Sequence, residues 1–472
     1  MSENQPSIFE KKSLKEIYTE IQSVYLSDER PWVIGYSGGK DSSTILQLIW
    51  YSISELPEDK RKKHIYVISS DTLVESPILL KRVREMHKLI NETAKQNKLP
   101  FSAQKVQPIV NDTFWVNLLG KGYPAPQKTF RWCTERLKIK PADRFIMKKV
   151  SEFGEVVLIL GVRKAESNTR AQLMNTYKIK GSLLSRHSQY PQTYVYTPIE
   201  NFTVDDVWNY LLQKKCPWGA NNRDLLALYT DKNAGECPLV VDKSTPSCGG
   251  SRFGCWTCTV VTEDKAMKNL IREGQTWMKP LSDIREFLFK TTNPEIKKKV
   301  RQLRSRKGQY RFKSNGNWDL SYGPYLIEFR KELLRKILEA QKQIDLEAPE
   351  NNFQIVLPEE LHEIRRIWMN EEGDWEDSVP KIYHEIMGKN LDWLSEDTGG
   401  FSDLEVNLLN KICAKHAVPQ LLVTKLLDVE KQIQGMTRRA SASIRIESVL
   451  KQDWRSEDEI IALAKLKSQN KE

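Results

Sequence analysis

The chain has 472 residues, of which 39% are apolar and 29% are charged, and this composition excludes a wholly disordered protein. No apolar run approaches the ~18–20 residues that cross a bilayer, and the first residues lack the apolar segment of a secretory signal. Lysine and arginine outnumber aspartate and glutamate by 73 to 62, a net charge of +11. We therefore expect a soluble, cytoplasmic protein of two or three domains with no membrane partner.

Residues 1–215 alternate between predicted strands and predicted helices. The strands are expected at 31–36, 64–70, within 101–110, at 156–161 and at 194–199. The helices are expected at 41–53, 77–95, 142–151 and from the capping residue Thr203 to residue 212. Alternation of this kind predicts an α/β fold with a parallel sheet covered on both faces. Ligands bind such sheets beyond the carboxyl ends of the strands.

The rest of the chain divides into three predicted segments. Residues 216–262 are rich in Gly, Pro, Asn and Cys and predict a cysteine-rich, loop-like segment. Residues 263–348 predict a basic helical region interleaved with aromatic residues. Residues 349–472 predict a helical C-terminal region that begins with a linker at 349–358.

A glycine-rich loop follows the first predicted strand and opens the first predicted helix. Its residues are Ser37, Gly38, Gly39, Lys40, Asp41 and Ser42. Glycines allow the backbone amides to turn inward, and a helix N-terminus and a lysine add positive charge, so the loop predicts a phosphate site. It is not a Walker A loop, because Asp41 follows Lys40 where Walker A has Ser or Thr.

This loop resembles the PP-loop of the ATP pyrophosphatase superfamily, and further motifs resemble its PAPS reductase branch. These motifs are Asp71-Thr72 with Glu75, Arg131-Trp132-Cys133-Thr134 with Leu137-Lys138, residues 161–167 with Arg170, and Pro198-Ile199 with Asp206-Val207-Trp208. The resemblance covers about residues 30–260. It implies an adenine nucleotide α-hydrolase-like sheet, with a mainly helical C-terminal extension outside it. It also implies that ATP, with Mg²⁺, is cleaved between its α- and β-phosphates.

The resemblance also assigns expected site residues. The six loop residues, 37–42, would hold the β- and γ-phosphates, and Lys40 and Asp41 would be catalytic with Arg163. Arg163 and Arg170 would neutralise phosphate charge, with Glu166 orienting one of them. Asp71 would face the nucleotide from the end of a strand. The alternatives are a strand-end turn for Asp71 and surface positions for the arginines.

The cysteines predict a metal or cluster site. Cys255 and Cys258 form a CxxC motif that follows Cys248 in a glycine-rich stretch. The resemblance to cluster-bearing sulfonucleotide reductases adds Cys133, although those enzymes have an adjacent cysteine pair there. We therefore expect a [4Fe–4S] cluster held by Cys133, Cys248, Cys255 and Cys258. The alternatives are zinc held by Cys237 with Cys248, Cys255 and Cys258, and a metal-free CxxC.

Residues 285–313 carry eleven basic side chains and two acidic ones. The basic residues are Arg285, Lys290, Lys297, Lys298, Lys299, Arg301, Arg304, Arg306, Lys307, Arg311 and Lys313. Charge concentrated in this way predicts a polyanionic partner, with nucleic acid before membrane. A solvated helix face or an acidic protein partner is the alternative.

The C-terminal half extends the resemblance to the C-protein family of the bacterial Dnd system. The sequence motifs that carry this resemblance are Glu359-Glu360-Leu361, residues 364–368, Val418-Pro419, residues 426–430 and residues 435–439. That family acts in replacing a non-bridging oxygen of DNA by sulfur. The resemblance therefore implies a sulfurtransferase-type enzyme whose partners are DNA, a cysteine desulfurase and other subunits. A tRNA base thiolase and an ATP-binding regulatory subunit of a DNA-modification or restriction complex are the alternatives.

The C-terminal residues also distinguish this chain from the sulfonucleotide reductases. Those enzymes carry their catalytic cysteine in a short C-terminal tail, and residues 414–472 contain no cysteine. Thioredoxin-dependent reduction of a sulfonucleotide is therefore not expected.

Overall fold

The computed structural model describes residues 6–166, 168–230, 254–313, 318–392, 403–433 and 442–469. The chain forms two compact units. Unit 1 comprises Met1–Ile109 and Phe130–Ala266, and unit 2 comprises Val110–Thr129 and Met267–Glu472. The four-segment division made from the sequence stays a prediction. No helix among the described residues is long and apolar enough to cross a membrane.

Unit 1 contains a mostly parallel sheet of six strands in the described residues. The strands are β1 (Trp32–Gly35), β2 (Ile65–Ser70), β3 (Phe101–Val106), β4 (Val156–Ile159), β5 (Leu184–Arg186) and β6 (Thr193–Tyr196). Their order is β3-β2-β1-β4-β6-β5, and β5 alone among them pairs in the antiparallel direction. The predicted α/β fold with a parallel sheet is confirmed.

Helices cover both faces of this sheet. They are α1 (Leu14–Leu26), α2 (Lys40–Ser54), α3 (Pro77–Gln96), α4 (Lys140–Phe153), α5 (Asn168–Thr176), α6 (Val204–Gln213) and α7 (Asn222–Thr230). Trp32 and Ile34 of β1 belong to one buried cluster, and Val33 between them belongs to another. Successive side chains of a strand point to opposite faces of the sheet. Because both faces of β1 are buried, all of its residues are apolar or small.

The strand order positions the ligand site. From β1 the chain moves outward through β2 to β3, and it then returns to the other side of β1 as β4. Adjacent strands whose connections leave in opposite directions open a crevice at their carboxyl ends, where ligands of open α/β sheets bind. The crevice between β1 and β4 is therefore the expected binding position in unit 1.

Unit 2 is mainly helical, and helices occupy most of the described residues from 265 onward. They are α8 (Lys265–Arg272), α9 (Lys279–Lys290), α10 (Pro294–Val300), α11 (Ile327–Glu347), α12 (Pro358–Glu371), α13 (Ser378–Met387), α14 (Asp403–Lys415), α15 (Gln420–Ile433), α16 (Ala442–Leu450) and α17 (Glu457–Gln469). The predicted helical character of the C-terminal part agrees with these elements.

Residues 110–129 are built into the core of unit 2. Trp115 is fully buried, and its indole N–H donates to the carbonyl of Ile355 at 2.6 Å. The indole of Trp368 in α12 donates to the carbonyl of Leu119 at 2.7 Å. These contacts satisfy the polar edges of large apolar rings inside the unit.

Three local expectations are corrected by the structure. The stretch 216–262 is not loop throughout, because α7 occupies Asn222–Thr230. The antiparallel strand β5 was not expected. The expected linker at 349–358 is packed into unit 2, where Ile355 and Val356 are buried.

Glu360 in the first turn of α12 offers a test of packing in unit 2. Burial raises the pKa of Glu360 to about 7, and the N–H of Leu357 donates to its carboxylate at 2.8 Å. Since the pKa is higher in the folded than in the unfolded chain, stability falls as the pH rises through this range. At about pH 8, Glu360→Gln should therefore have a free energy of unfolding about 1–3 kcal/mol higher than that of the wild type, measured by urea denaturation. Near pH 4.5 the two free energies should differ little.

The matched control is Glu359→Gln, which removes an exposed carboxylate from the same helical turn. It should show no gain that grows with pH. A stability difference for Glu360→Gln that does not change between the two pH values would contradict the buried, protonated carboxyl.

Candidate functional site

The glycine-rich loop leaves the carboxyl end of β1 and leads into α2. Gly38 has a φ of +74°, a left-handed conformation that favours glycine. Gly39 is the residue before α2, and no side chain caps the helix there. The hydroxyls of Ser37 and Ser42 are 3.1 Å apart, and Ser42 donates to the carbonyl of Gly39 at 3.1 Å. The loop is thus a compact turn that presents a helix N-terminus, a suitable position for phosphate.

Asp41 is held between two cations. Lys40 Nζ lies 2.9 Å from Asp41 Oδ2, and Arg163 Nε lies 2.7 Å from Asp41 Oδ1. Lys40 comes from the loop after β1, whereas Arg163 comes from the segment after β4. One carboxylate therefore connects the two sides of the crevice between β1 and β4.

Close backbone packing supports this arrangement. A Cβ added to Gly161, just after β4, would lie 3.3 Å from the carbonyl carbon of Asp41. Such a contact is closer than most Cβ atoms make, so the absence of a side chain at Gly161 favours the close approach of the two segments. Close packing against Asp41 thus explains the glycine at the first position of the motif that begins at Gly161.

Arg163 is buried with part of its hydrogen-bonding capacity unused. Its side chain is 3% exposed, and Arg163 Nη2 lies 3.5 Å from Glu166 Oε1. Its Nη1 is buried and has no hydrogen-bond partner within the described part of the chain. An unsatisfied buried guanidinium nitrogen is costly, and a phosphate oxygen would satisfy it. Arg170 lies in α5, but its side chain falls outside the described residues.

Asp71 lies beyond the carboxyl end of β2 and is engaged by neighbouring protein groups. Lys105 Nζ and Gln107 Nε2 each lie 2.9 Å from Asp71 Oδ2, and the N–H of Leu73 donates to Oδ1 at 3.0 Å. Leu73 has a φ of +65°, so this carboxylate stabilises a strained turn. The contacts favour the turn alternative of the sequence analysis, and the nucleotide contact of Asp71 stays a prediction.

The CxxC motif docks on the turn that follows β2. The N–H of Trp256 donates to the carbonyl of Val74 at 3.0 Å, and Glu75 and Cys255 form an antiparallel bridge. Cys255 Sγ lies 3.3 Å from Thr72 Oγ1. Because β2 pairs in parallel with β1, the cysteine motif and the glycine-rich loop both lie at the carboxyl ends of neighbouring strands.

Cys133 lies within electrostatic reach of Cys255. Burial is the largest cause of the raised pKa of the Cys255 thiol, Glu75 raises it further, Lys138 lowers it, and the charge of Cys133 adds to the increase. Lys138 Nζ also lies 3.7 Å from Glu75 Oε1. The positive charge of Lys138 thus offsets the negative charge of Glu75 and of any ionised thiol beside it.

The donor set suits a cluster chemically, since thiolates are the ligands of iron–sulfur clusters. Cys133, Cys255 and Cys258 are among the described residues, whereas Cys248 and the alternative ligand Cys237 lie outside them. No three described His, Cys, Asp or Glu side chains are arranged to hold a metal ion. The cluster and its ligand set, including Cys133, therefore stay a prediction.

Two arginines at this edge received no assigned role from the sequence. Arg131, two residues before Cys133, has buried Nε and Nη1 atoms that lack a partner among the described residues. Arg82 on α3 is close enough to Tyr36, beside the loop, for its charge to lower the pKa of that phenol, although burial raises this pKa overall to about 12. Arg131 was part of a quoted motif, but no sequence signal distinguished Arg82 from other helix-surface arginines.

Residues 31–261 match the phosphoadenosine phosphosulfate reductase domain family. The matched segment is just under half of the chain, and the match supports a PAPS reductase-like domain of the PP-loop superfamily in unit 1. Proteins with this domain use nucleotides derived from ATP, and the candidate loop and Arg163 lie within the matched residues. The finer Dnd assignment is a proposal, taken up below.

The curated relative found is an uncharacterized protein, MJ0066, of Methanocaldococcus jannaschii. It is 25% identical over 271 residues, which cover 57% of this chain and 45% of that protein. The chain thus matches less than half of the relative's length.

Two solved structures show partial likeness. A PAPS reductase from Candida auris in a phosphate complex is 15% identical, with a TM-score of 0.28, covering 47% of this chain and 86% of that one. The U34-tRNA thiolase NcsA from Methanococcus maripaludis, solved with its [4Fe–4S] cluster, is 12% identical, with a TM-score of 0.27, covering 46% and 72%. The function must therefore be inferred from the residues of this chain.

The cluster prediction is tested by the iron content of cysteine variants. Cys133→Ser, Cys255→Ser and Cys258→Ser should each abolish the brown colour and bound iron of anaerobically purified protein, because one cluster needs all its thiolates. The control is Cys413→Ser, which changes a buried cysteine of unit 2 and should retain iron. Full iron content in Cys133→Ser, or stoichiometric zinc in colourless wild-type protein, would reject the proposed ligand set.

Proposed function

We propose that this chain is an ATP pyrophosphatase of the sulfurtransferase type in DNA phosphorothioate modification. In this reaction a backbone phosphate of DNA is activated by adenylation, and sulfur then replaces a non-bridging oxygen. The observation that carries the proposal is that the glycine-rich loop and the cysteine motif lie at the carboxyl ends of neighbouring strands in unit 1. Phosphate activation and sulfur chemistry thus have residues at neighbouring strand ends.

The first proposed step uses the loop and Arg163. A non-bridging oxygen of the DNA phosphate attacks the α-phosphorus of ATP, and the bond to the β-phosphate breaks to release pyrophosphate. Lys40 and the N-terminus of α2 would stabilise the negative charge that develops on the leaving group. Arg163 Nη1 would donate to a phosphate oxygen. Mg²⁺ takes most of its ligands from nucleotide oxygens and water, and Asp41 is the loop carboxylate that could add one.

The second proposed step displaces AMP. A sulfur nucleophile attacks the activated phosphorus, and AMP leaves with the original oxygen. A phosphodiester oxygen is a poor leaving group by itself, which is the physical reason for using ATP. The sulfur would come from the cysteine persulfide of a desulfurase, and a second thiol would supply the two electrons that its release requires.

The cysteine edge is the proposed place of sulfur handling. Cys133, Cys248, Cys255 and Cys258 would hold the cluster, which when bound would supply a redox-active, sulfide-containing centre. Cys216 is a poor candidate for carrying sulfur, because its burial in the core raises the pKa of its thiol to about 11. Thiolate is the reactive form, so a thiol kept protonated reacts slowly.

A nucleic-acid substrate is supported by part of the basic segment 285–313. Some of its charges serve the fold: Arg285 is 1% exposed and pairs with Glu286, and Arg301 donates to the carbonyls of Gly323 and Tyr322. Others are paired with acidic residues. Four further basic residues are exposed and have no ion-pair or hydrogen-bond partner among the described residues. They are Lys290, Lys299, Lys307 and Arg311. These four are the proposed phosphate contacts.

The products of ATP turnover test the activation step. We expect AMP and pyrophosphate, and we expect Lys40→Ala to lower the rate of their formation about 10²–10³-fold, as loss of a transition-state contact does. The control is Lys148→Ala, an exposed lysine of α4, which should leave the rate unchanged. Formation of ADP and phosphate by the wild-type protein would instead indicate a regulatory ATPase subunit.

The salt dependence of DNA binding tests the basic surface. Each phosphate contact releases counterions, so the double variant Lys299→Ala, Lys307→Ala should lower the slope of log affinity against log salt by about 2. The matched control, Lys381→Ala with Lys389→Ala, removes two exposed lysines of unit 2 outside this segment. Equal slopes for wild type and the first double variant would exclude this segment as the contact surface.

A further inference from the structure

The aromatic residues interleaved with the basic segment differ sharply in their surroundings. Phe287 stacks on Phe329 with ring centres 5.5 Å apart, and Phe289 lies beneath the guanidinium of Arg285 at 4.9 Å. These rings pack unit 2. Phe312, in contrast, is 37% exposed. Its exposure therefore needs a separate account from the packing of Phe287 and Phe289.

Phe312 belongs to a short β-ribbon. The N–H of Lys313 donates to the carbonyl of Asp319, and the N–H of Ser321 donates to the carbonyl of Arg311, each at 2.7 Å. Phe312 is paired with Leu320 in the antiparallel direction, and Leu320 is buried. Because directly paired residues of an antiparallel ladder lie on the same face, Phe312 lies beside Leu320. Leu320 is buried on this face and anchors the ribbon, whereas the Phe312 ring beside it keeps 37% of its surface exposed.

Trp318 completes the aromatic part of the ribbon. Its ring centre lies 5.7 Å from that of Phe312, with the two planes at 89°. Its φ is +57°, a left-handed conformation that is a genuine outlier for a bulky residue. Backbone strain of this kind concentrates at ligand-binding positions, where the surrounding structure maintains it. The edge-to-face geometry holds Phe312 while leaving part of its ring uncovered.

Positive charge flanks this pair of rings. Arg311 is exposed and has no ion-pair partner among the described residues, and Lys307 nearby in the chain has the same properties. Lys313 is partly compensated by Asp319 at 3.6 Å. An exposed ring with uncompensated cations is the combination found where single-stranded nucleic acids bind, with cations tracking the backbone and bases stacking on rings.

We propose that the Phe312–Trp318 pair stacks against an unpaired base of the DNA, while Arg311 and Lys307 contact adjacent phosphates. The inference rests on the proposed function and specifies the form of its substrate, since the ring faces of bases are inaccessible inside a duplex. Stacking tolerates any base, so this contact would select unpaired or locally opened DNA without selecting its sequence.

The experiment measures binding of the full chain to a short DNA strand containing 2-aminopurine, and to the same strand in a duplex. Quenching of the 2-aminopurine fluorescence reports stacking, and anisotropy of an end label reports affinity. Phe312→Ala should weaken binding of the single strand about tenfold and reduce the quenching, with little change for the duplex. Phe312→Tyr, which keeps an aromatic ring, should bind as the wild type does.

Two further variants separate stacking from packing. Phe312→Leu keeps apolar volume beside Leu320 but cannot stack, so it should lose single-strand affinity while retaining the thermal stability of the wild type. Phe153→Ala removes an exposed phenylalanine of unit 1 and should change neither quantity. Wild-type single-strand affinity in Phe312→Leu, or equal losses for strand and duplex, would overturn the stacking role.

Failure of the proposed function would look different. If the wild-type chain bound neither form of DNA, the DNA assignment itself would be contradicted, whatever the variants did. Stacking on an RNA strand but not on the DNA strand would likewise overturn the DNA substrate. If DNA binding depended on Lys299 and Lys307 but not on Phe312, the DNA assignment would stand and the stacking proposal alone would fail.

Discussion

The ion pairs of Asp41 are the interaction on which the candidate site depends. Lys40 and Arg163 approach this carboxylate from the segments after β1 and β4, at 2.9 Å and 2.7 Å. These strands are neighbours in space but far apart in the chain, so the contact unites the two sides of the crevice. Asp41 also orients both cations. An anion that enters the crevice would compete with Asp41 for these cations and would meet the unused nitrogen of Arg163.

A second constraint brings sulfur to the same edge. The cysteine motif has no strand of its own, but its backbone pairs with the turn after β2 through Trp256 and Cys255. Backbone pairing fixes the position of Cys255 irrespective of any bound group. Unit 1 thus combines the glycine-rich loop with thiols at neighbouring strands, a combination that suits the ATP-dependent sulfur chemistry proposed above.

Much of unit 1 could be predicted from the sequence because its signals are local. Apolar runs predicted the strands β1 and β4, and Thr203 caps α6 as expected. Contacts between distant residues were not predictable. The incorporation of residues 110–129 into unit 2 depends on partners more than 200 residues away, such as Ile355 for Trp115.

The site residues show the same limit. The glycine-rich loop was recognisable because its chemistry is contained in consecutive residues. The engagement of Asp71 by Lys105 and Gln107 required β3 to pair beside β2, which a single strand end does not reveal. Likewise, the number of positive charges in residues 285–313 does not show which of them are exposed. Arg285 is buried and Arg301 is hydrogen-bonded to backbone carbonyls, and both properties arise from packing in the folded chain.

The most direct test of the central claim is mass spectrometry of nuclease-digested DNA from cells that carry this protein with its partner proteins. Phosphorothioate-linked dinucleotides resist the nucleases and have the mass of one sulfur in place of one oxygen. The account predicts these dinucleotides in cells with the wild-type chain and their loss when Lys40 is replaced by alanine. Equal amounts with and without the protein, or sulfur that depends on it in tRNA and not in DNA, would contradict the account.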